Sequence, residues 1–268
     1  MKGFFLLFIL AVGVGFLAGF LQGFSGFGLA IFSMSLLALI LGDIQYADRM
    51  VVIMASTCVA VLAIRLWRHI QWRRLPFIGA GVALGVPAGV LIGPHIPPGP
   101  GRMLLGSIII LTGLYRAWAV RHRPCVAESK PGPVEVSYGI AAGLLSGWVN
   151  MSGPPLVYWA HHRFDPMRAR ALLAGAFIFT SAFKLTSLTV FDLWIAEYAL
   201  AGLVAAPAVL VGTWLGDLMA RRSRPALYAP VIWALFILLG VLLIASPVRN
   251  RQSEPPHAPA LAEMRFDK

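Results

Sequence analysis

The sequence predicts an all-α polytopic membrane protein made of two inverted repeats, each a broken helical hairpin followed by three transmembrane helices. Three observations carry this expectation. The 268 residues are 59% hydrophobic and 12% charged, whereas soluble domains carry roughly 25% charged residues; mean hydropathy is +0.79. The apolar residues gather into eight blocks, most of them long enough to cross about 30 Å of hydrocarbon. The second four blocks repeat the first four in order and in the placing of their glycines. Such a composition excludes a cytosolic enzyme, a DNA-binding domain and a disulfide-stapled secreted scaffold.

The net charge of +11 would suggest nucleic acid in a soluble chain. Here Lys and Arg are spread over several connections, as in cytoplasmic loops of membrane proteins, so the expected partners are the lipid bilayer and a small solute, with no nucleic acid. Cys58 and Cys125 are the two cysteines; they form neither a disulfide framework nor a metal-ligand pattern, and no metal or cofactor is expected. Met1-Lys2-Gly3 and the apolar run after it imitate a signal peptide, but no soluble domain follows, so this stretch reads as the first membrane segment.

In order, the blocks cover 4–41, 50–66, 77–93, 103–120, 137–160, 171–191, 198–218 and 227–245. The first is too long for one span and the fifth is interrupted at 150–155; the other six read as ordinary spans. Residues 1–120 form the first repeat, 121–136 a polar cytoplasmic linker, 137–246 the second repeat and 247–268 a disordered, proline-bearing tail. Gly15, Gly19 and Gly23 are spaced like Gly139, Gly143 and Gly147, at an offset of 124, and Asp43 matches Asp165 at an offset of 122.

Charge gives the orientation. Arg65, Arg68, Arg73 and Arg74 fill a loop of the first half whose counterpart at 191–196 has no Lys or Arg; the next loop, 95–101, is uncharged, while its counterpart holds Arg221, Arg222 and Arg224. Arg163, Arg168 and Arg170 likewise outnumber Arg49. Equivalent loops therefore fall on opposite sides, and the positive-inside rule places 65–74, the linker, 161–170 and 221–224 in the cytoplasm. Each half has an odd number of full spans, so each broken block must enter and leave on one face. The 13 residues 29–41 make about 20 Å of helix, which fits a half-helix.

A helix can break within a bilayer only where protein or a water-filled cavity satisfies the freed backbone groups. The breaks read Gln22-Gly23-Phe24-Ser25-Gly26-Phe27-Gly28 and Ser146-Gly147-Trp148-Val149-Asn150-Met151-Ser152-Gly153-Pro154-Pro155. Proline suits the first turn of a restarting helix, and such a start offers free N–H groups and the positive end of the dipole to an anion. Paired interruptions in two inverted halves point to a transporter's binding site. Gln22, Ser25, Gly26, Gly28, Asn150, Ser152, Gly153 and Pro154 are the expected site residues. The spaced glycines Gly15, Gly19 and Gly23 read as helix packing.

The runs Gly15–Gly28 (GFLAGFLQGFSGFG) and Gly143–Tyr158 (GLLSGWVNMSGPPLVY) resemble the sulfite exporter TauE/SafE family of membrane transporters, also described as toluene sulfonate uptake permeases. The resemblance covers about residues 10–246. It implies transport of sulfite, an organosulfonate or a related sulfur-containing or carboxylate anion across a cell membrane of the bacterial inner-membrane type.

The remaining polar residues fit an anion. Asp43, Asp165, Asp192, Glu197 and Asp217 sit near span ends, and no carboxylate is expected deep in a span. Lys184 lies well within its span; it is either a site residue or a snorkelling side chain partnered by Asp192. Ser56, Thr57, Thr180 and Ser181 occupy equivalent spans and serve either a ligand or their own helix. Gly23-Phe24-Ser25-Gly26 matches the Gly-x-Ser-Gly of rhomboid proteases, but a serine nucleophile needs a base, and all six histidines lie in connections or the tail. An anion channel is the other alternative. An interior-negative potential favours anion exit by about 2.3 kcal/mol per 100 mV, which leans the expectation toward an exporting carrier and not an enzyme.

Overall fold

The computed structural model describes residues 2–119, 131–222 and 225–246, and the described residues form helices without strands. In chain order these are α1 (Lys2–Ser25), α2 (Leu29–Leu41), α3 (Ile44–Leu66), α4 (Leu75–Ile92), α5 (Pro98–Ala119), α6 (Pro133–Val149), α7 (Gly153–His161), α8 (Pro166–Val190), α9 (Ala196–Arg222) and α10 (Pro225–Ala245). Eight apolar blocks become ten helices because the first and fifth blocks each split in two. The tail at 247–268 and linker residues 121–130 lie outside the described residues.

Among the described residues, five helices are long and apolar enough to cross a membrane: α1, α3, α4, α8 and α9. Four of them, α3, α4, α8 and α9, coincide with expected ordinary spans. The other two expected spans form α5, with 22 residues, and α10, with 21. α1, the first arm of the broken block, has 24 residues, about 36 Å at 1.5 Å per residue. Large apolar side chains such as Ile64, Leu84, Val190 and Leu203 stand exposed on the outer faces, a surface suited to lipid.

The helices of the two halves pack against each other. α1 lies along α9 and α4 along α6, and both seams are glycine on glycine. A Cβ at Gly19 or Gly23 would overlap the carbonyls of Val209 or Thr213, while Gly212 and Gly216 press on the carbonyls of Phe16 and Phe20. Across the other seam, Gly81, Gly85 and Gly89 meet the backbone of Val136, Ile140 and Leu144. The spaced glycines are thus packing residues that let backbones approach. Gly143→Leu is expected to destabilise the fold by about 1–3 kcal/mol or more, because its neighbours, such as Gly85 Cα at 2.9 Å, are backbone and have no rotamer to yield. An unchanged thermal midpoint in detergent would refute this packing.

Contact register gives direction. α1 and α9 run parallel, with Gly15 beside Ala205 and Gly23 beside Thr213; α4 and α6 do too, with Gly81 beside Val136 and Gly89 beside Leu144. α3 follows α9, from Met50 beside Gly202 to Arg65 bonded to Asp217. α8 follows α4, with Leu75 beside Gly175 and Gly79 beside Phe179. The helix ends consequently sort into two groups. At one, Arg65 and Arg170 share Asp217, and Arg74 pairs with Glu135 at 2.7 Å and lies over the Phe164 ring. At the other, Tyr46 stacks on Tyr198 at 4.6 Å and Arg49 Nε donates to the Leu193 carbonyl at 2.7 Å.

Candidate substrate site

The first break is built by three residues of its own motif. α1 ends at Ser25, and the chain turns through Gly26 (φ 84°) and Gly28 (φ 118°), conformations that side-chain-bearing residues rarely adopt. At Gly28 a Cβ would also lie 2.7 Å from Phe236 Cζ. Gln22 fastens the turn: its Oε1 accepts from the Leu29 N–H at 3.0 Å and its Nε2 donates to the Gly26 carbonyl at 3.4 Å.

The second break has different chemistry in an equivalent place. α6 ends in a left-handed Asn150 (φ 55°, ψ 25°), a residue that tolerates this region. Its N–H closes on the Ser146 carbonyl at 2.9 Å, and its side-chain amide reaches the Val51 carbonyl at 3.4 Å. α7 then starts at Gly153, followed by Pro154 and Pro155. The last residues of α1 and α6, Ser25 and Val149, and the first of α2 and α7, Leu29 and Gly153, stand at the same offset of 124 as the glycine triplets.

Between the breaks lies a cavity of about 50 Å³. One water needs roughly 10–15 Å³ on this scale, so the space suits an ion of about four heavy atoms. Gln22 and residues 27–31 wall one side, and residues 150–153 the other. Ala55, Cys58 and Val59 of α3 and Phe177, Thr180 and Ser181 of α8 close it at mid-length of both helices. These two sets correspond one to one at the offset of 122 that relates Asp43 to Asp165. The two halves therefore contribute matched positions to one chamber.

Among the described residues, no charged side chain lines the cavity. Its polarity comes from donors. Ala30 and Ile31 fall in the first turn of α2, where helix geometry leaves N–H groups without an intrahelical acceptor; the Phe32 N–H is the first to close back, on Gly28 O at 2.9 Å. On the opposite wall the two prolines remove donors, leaving the Gly153 N–H and the Ser152 hydroxyl. Ser152 Oγ lies 3.4 Å from Thr180 Oγ1, and Thr180 donates to the Phe177 carbonyl at 3.0 Å. A Cβ placed on Gly153 would meet nothing within 4 Å.

Of the residues expected from the sequence, Gln22, Gly28, Asn150, Ser152 and Gly153 line the cavity; Ser25, Gly26, Pro154 and Lys184 do not. The Ser25 hydroxyl reaches the Leu21 carbonyl at 2.7 Å and also approaches the Phe27 carbonyl. Gly26 faces the Arg170 side chain. Pro154 shapes the start of α7 and has no N–H to offer. Ser56 and Thr57 bond their own helix, to Val52 and Ile53 carbonyls at 2.7 and 2.9 Å.

Two expectations are corrected. Lys184 neither snorkels nor pairs with Asp192: it is fully buried, 3.0 Å from Asp48, and it donates to the carbonyls of Ser146 and Gly147. Asp48 is fully buried as well and lies level with Lys184, which corrects the expectation that no carboxylate lies deep; Glu135 and Asp217 are also nearly buried but stand toward helix ends. α3 begins at Ile44, before the apolar block at 50–66, so Asp48 sits inside the helix, balanced by Lys184 and Arg49. Sequence reasoning also missed Cys58 and Phe177 as lining residues; extending the 122-residue offset along α3 and α8 would have paired Cys58 with Thr180 and Ala55 with Phe177.

Long apolar helices, two of them interrupted around a small polar chamber, define a polytopic membrane transporter. Residues 11–243 match the model of the sulfite exporter TauE/SafE family, and the chain belongs to that family. It is 29% identical over 185 residues to a protein of Cupriavidus necator named "Probable sulfite/organosulfonate exporter TauE", a match covering 66% of this chain and 70% of that relative. No solved structure matches the chain. The protein is a multi-pass cell-membrane transporter for a small anion, and not an enzyme.

Proposed function

We propose that the protein is a carrier that exports sulfite or a small organosulfonate, binding it in the cavity between the two breaks. The observation that carries this is the convergence of both breaks on one uncharged chamber with helix-start N–H groups on opposite walls. Partial positive charge at a helix start holds an anion without a fixed counter-ion. The N–H groups of Ala30, Ile31 and Gly153 would donate to it, Gln22 would hold the first wall in shape, and the Ser152 hydroxyl, donating to Thr180 Oγ1, would hold the second. A chamber of about 50 Å³ suits sulfite's four heavy atoms better than an aromatic sulfonate.

The inverted repeat belongs to the same proposal. Its support is the matched seams α1–α9 and α4–α6, the parallel registers, and the two groups of helix ends. The end where Arg65, Arg74, Arg170 and Asp217 gather unites the loops that positive charge assigns to the cytoplasm. Export follows from the membrane potential, which drives a monovalent anion outward with no coupling ion, and agrees with the printed name of the relative.

The test is a flux screen in proteoliposomes with sulfite, short and aromatic sulfonates, sulfate and small carboxylates. Saturable sulfite flux with counterflow against internal sulfite is expected, with little flux of aromatic sulfonates. Flux without counterflow would mark a channel, and no sulfite or sulfonate flux would overturn the substrate class.

A further inference from the structure

Two ion-pair clusters flank the cavity, and one helix supplies a cation to each. On α8, Arg170 and Lys184 are 14 residues apart, about 21 Å at 1.5 Å per residue. The lining residues Phe177 and Ser181 lie between them at spacings of seven, four and three, so all four share one helix face. Lys184 meets Asp48 of α3 and the Gly147 carbonyl near the end of α6. Arg170 meets Asp217 of α9 at 3.2 Å and the Gly23 carbonyl near the end of α1 at 2.7 Å. Arg65 completes this second cluster at 2.9 Å from Asp217. Gly23 and Gly147 are equivalent in the two halves, at the offset of 124. Each cation of α8 thus fastens the end of one broken helix and pairs with a carboxylate of another helix.

The two clusters differ in burial. The side chains of Lys184 and Asp48 are both 0% exposed, whereas Arg65 is 32%, Arg170 26% and Asp217 11% exposed. One end is sealed, and the other reaches the surface.

We propose that Lys184–Asp48 and Arg170–Asp217–Arg65 are the opposing gates of the carrier, breaking in alternation to admit the anion from one side and release it to the other, with α8 linking them. This rests on the carrier reading above. Each pair holds the end of one broken helix against α8, so separating it frees that helix to move away from the chamber. In this structure the Lys184 gate is shut, at the end that positive charge assigns to the exterior. Neutralising one carboxylate weakens one closed state selectively, and the population shifts toward the conformer open at that end.

The experiment uses the full-length chain with Cys58→Ser, Cys125→Ser and Ser181→Cys, so that a single thiol faces the chamber. A membrane-impermeant thiol reagent is applied to whole cells, for external access, and to inverted vesicles, for cytoplasmic access. Asp48→Asn should raise external labelling at least tenfold and lower cytoplasmic labelling; Asp217→Asn should do the reverse. Labelling unmoved by either variant, or moved toward the same side by both, overturns the gates. Monodisperse elution in detergent qualifies each variant as folded; should Asp48→Asn fail, Asp48→Asn with Lys184→Met replaces the charged pair by a neutral one and carries the same expectation. Sulfite flux of the unmodified protein is measured alongside. Its absence defeats the carrier reading, whereas flux with unmoved sidedness defeats only the gates.

Discussion

Gly153→Val is expected to reduce sulfite flux on the order of 100-fold, equivalent to about 2.7 kcal/mol of lost binding, while the protein remains folded. The position separates the two effects. A Cβ there meets nothing within 4 Å, so the added methyl groups enter the chamber and displace the solute without pressing on protein. Gly153 opens α7 and has no positive φ to lose, and because a residue before Pro154 is restricted in the helical region, the smaller Gly153→Ala separates chamber filling from backbone strain. Gly153→Ala should give an intermediate loss. The contrast is Gly26: its φ of 84° and its contact with Arg170 mean that a bulky residue there would distort the turn, and a loss of transport would say nothing about the chamber. Initial rates in proteoliposomes, normalised to monodisperse protein, check the series. Undiminished flux in Gly153→Val would remove the cavity from the transport route.

Lys184→Met is expected to cost about 3–5 kcal/mol of stability, because it takes the ammonium from a buried pair and leaves two buried carbonyls without their donor, each at about 1–3 kcal/mol. Asp48 would keep Arg49 beside it but lose the ammonium, and the Ser146 and Gly147 carbonyls would lose their donor at the end of α6. With total stabilities of only about 5–15 kcal/mol, much of the variant should be unfolded or aggregated on extraction. Adding Asp48→Asn should recover only part of the loss, since it leaves no unpaired carboxylate but takes the counter-ion from the nearly buried Arg49, which keeps the Leu193 carbonyl and Gln45. Thermal melts of the single and double variants in one detergent measure this coupling. A single variant that melts within about 1 kcal/mol of the parent would show the pair to be solvated.

Much of this architecture was legible in the residues because bilayers impose strict rules. Apolar length marked the spans, and Gly26-Phe27-Gly28 and Asn150–Gly153 marked the breaks, since only special backbone residues can interrupt a helix at depth. The start and end of α2 follow directly from flanking glycines. The glycine triplets announced tight seams, but a helix face does not name its partner, so the exchange of α1 onto α9 and α6 onto α4 needed three dimensions. Asp48 was misjudged because hydropathy blurs helix starts: the helix opens six residues before the apolar block. Lys184 was conspicuous in the sequence, yet its partner lies 136 residues away, and distance along the chain carried no hint of it. Pro154 and Ser25 illustrate the remaining gap: a break motif identifies where the chain turns, while the direction each residue faces depends on packing.

The most direct measurement is a structure of the protein with selenite, the selenium analogue of sulfite, located by anomalous scattering. The selenium peak should lie between the first turn of α2 and Gly153, with its oxygens within hydrogen-bond distance of the Ala30, Ile31 and Gly153 N–H groups. A peak found only elsewhere, for instance in the second cavity beside Arg102 and Trp148, with the chamber empty under conditions that support transport, would contradict the account.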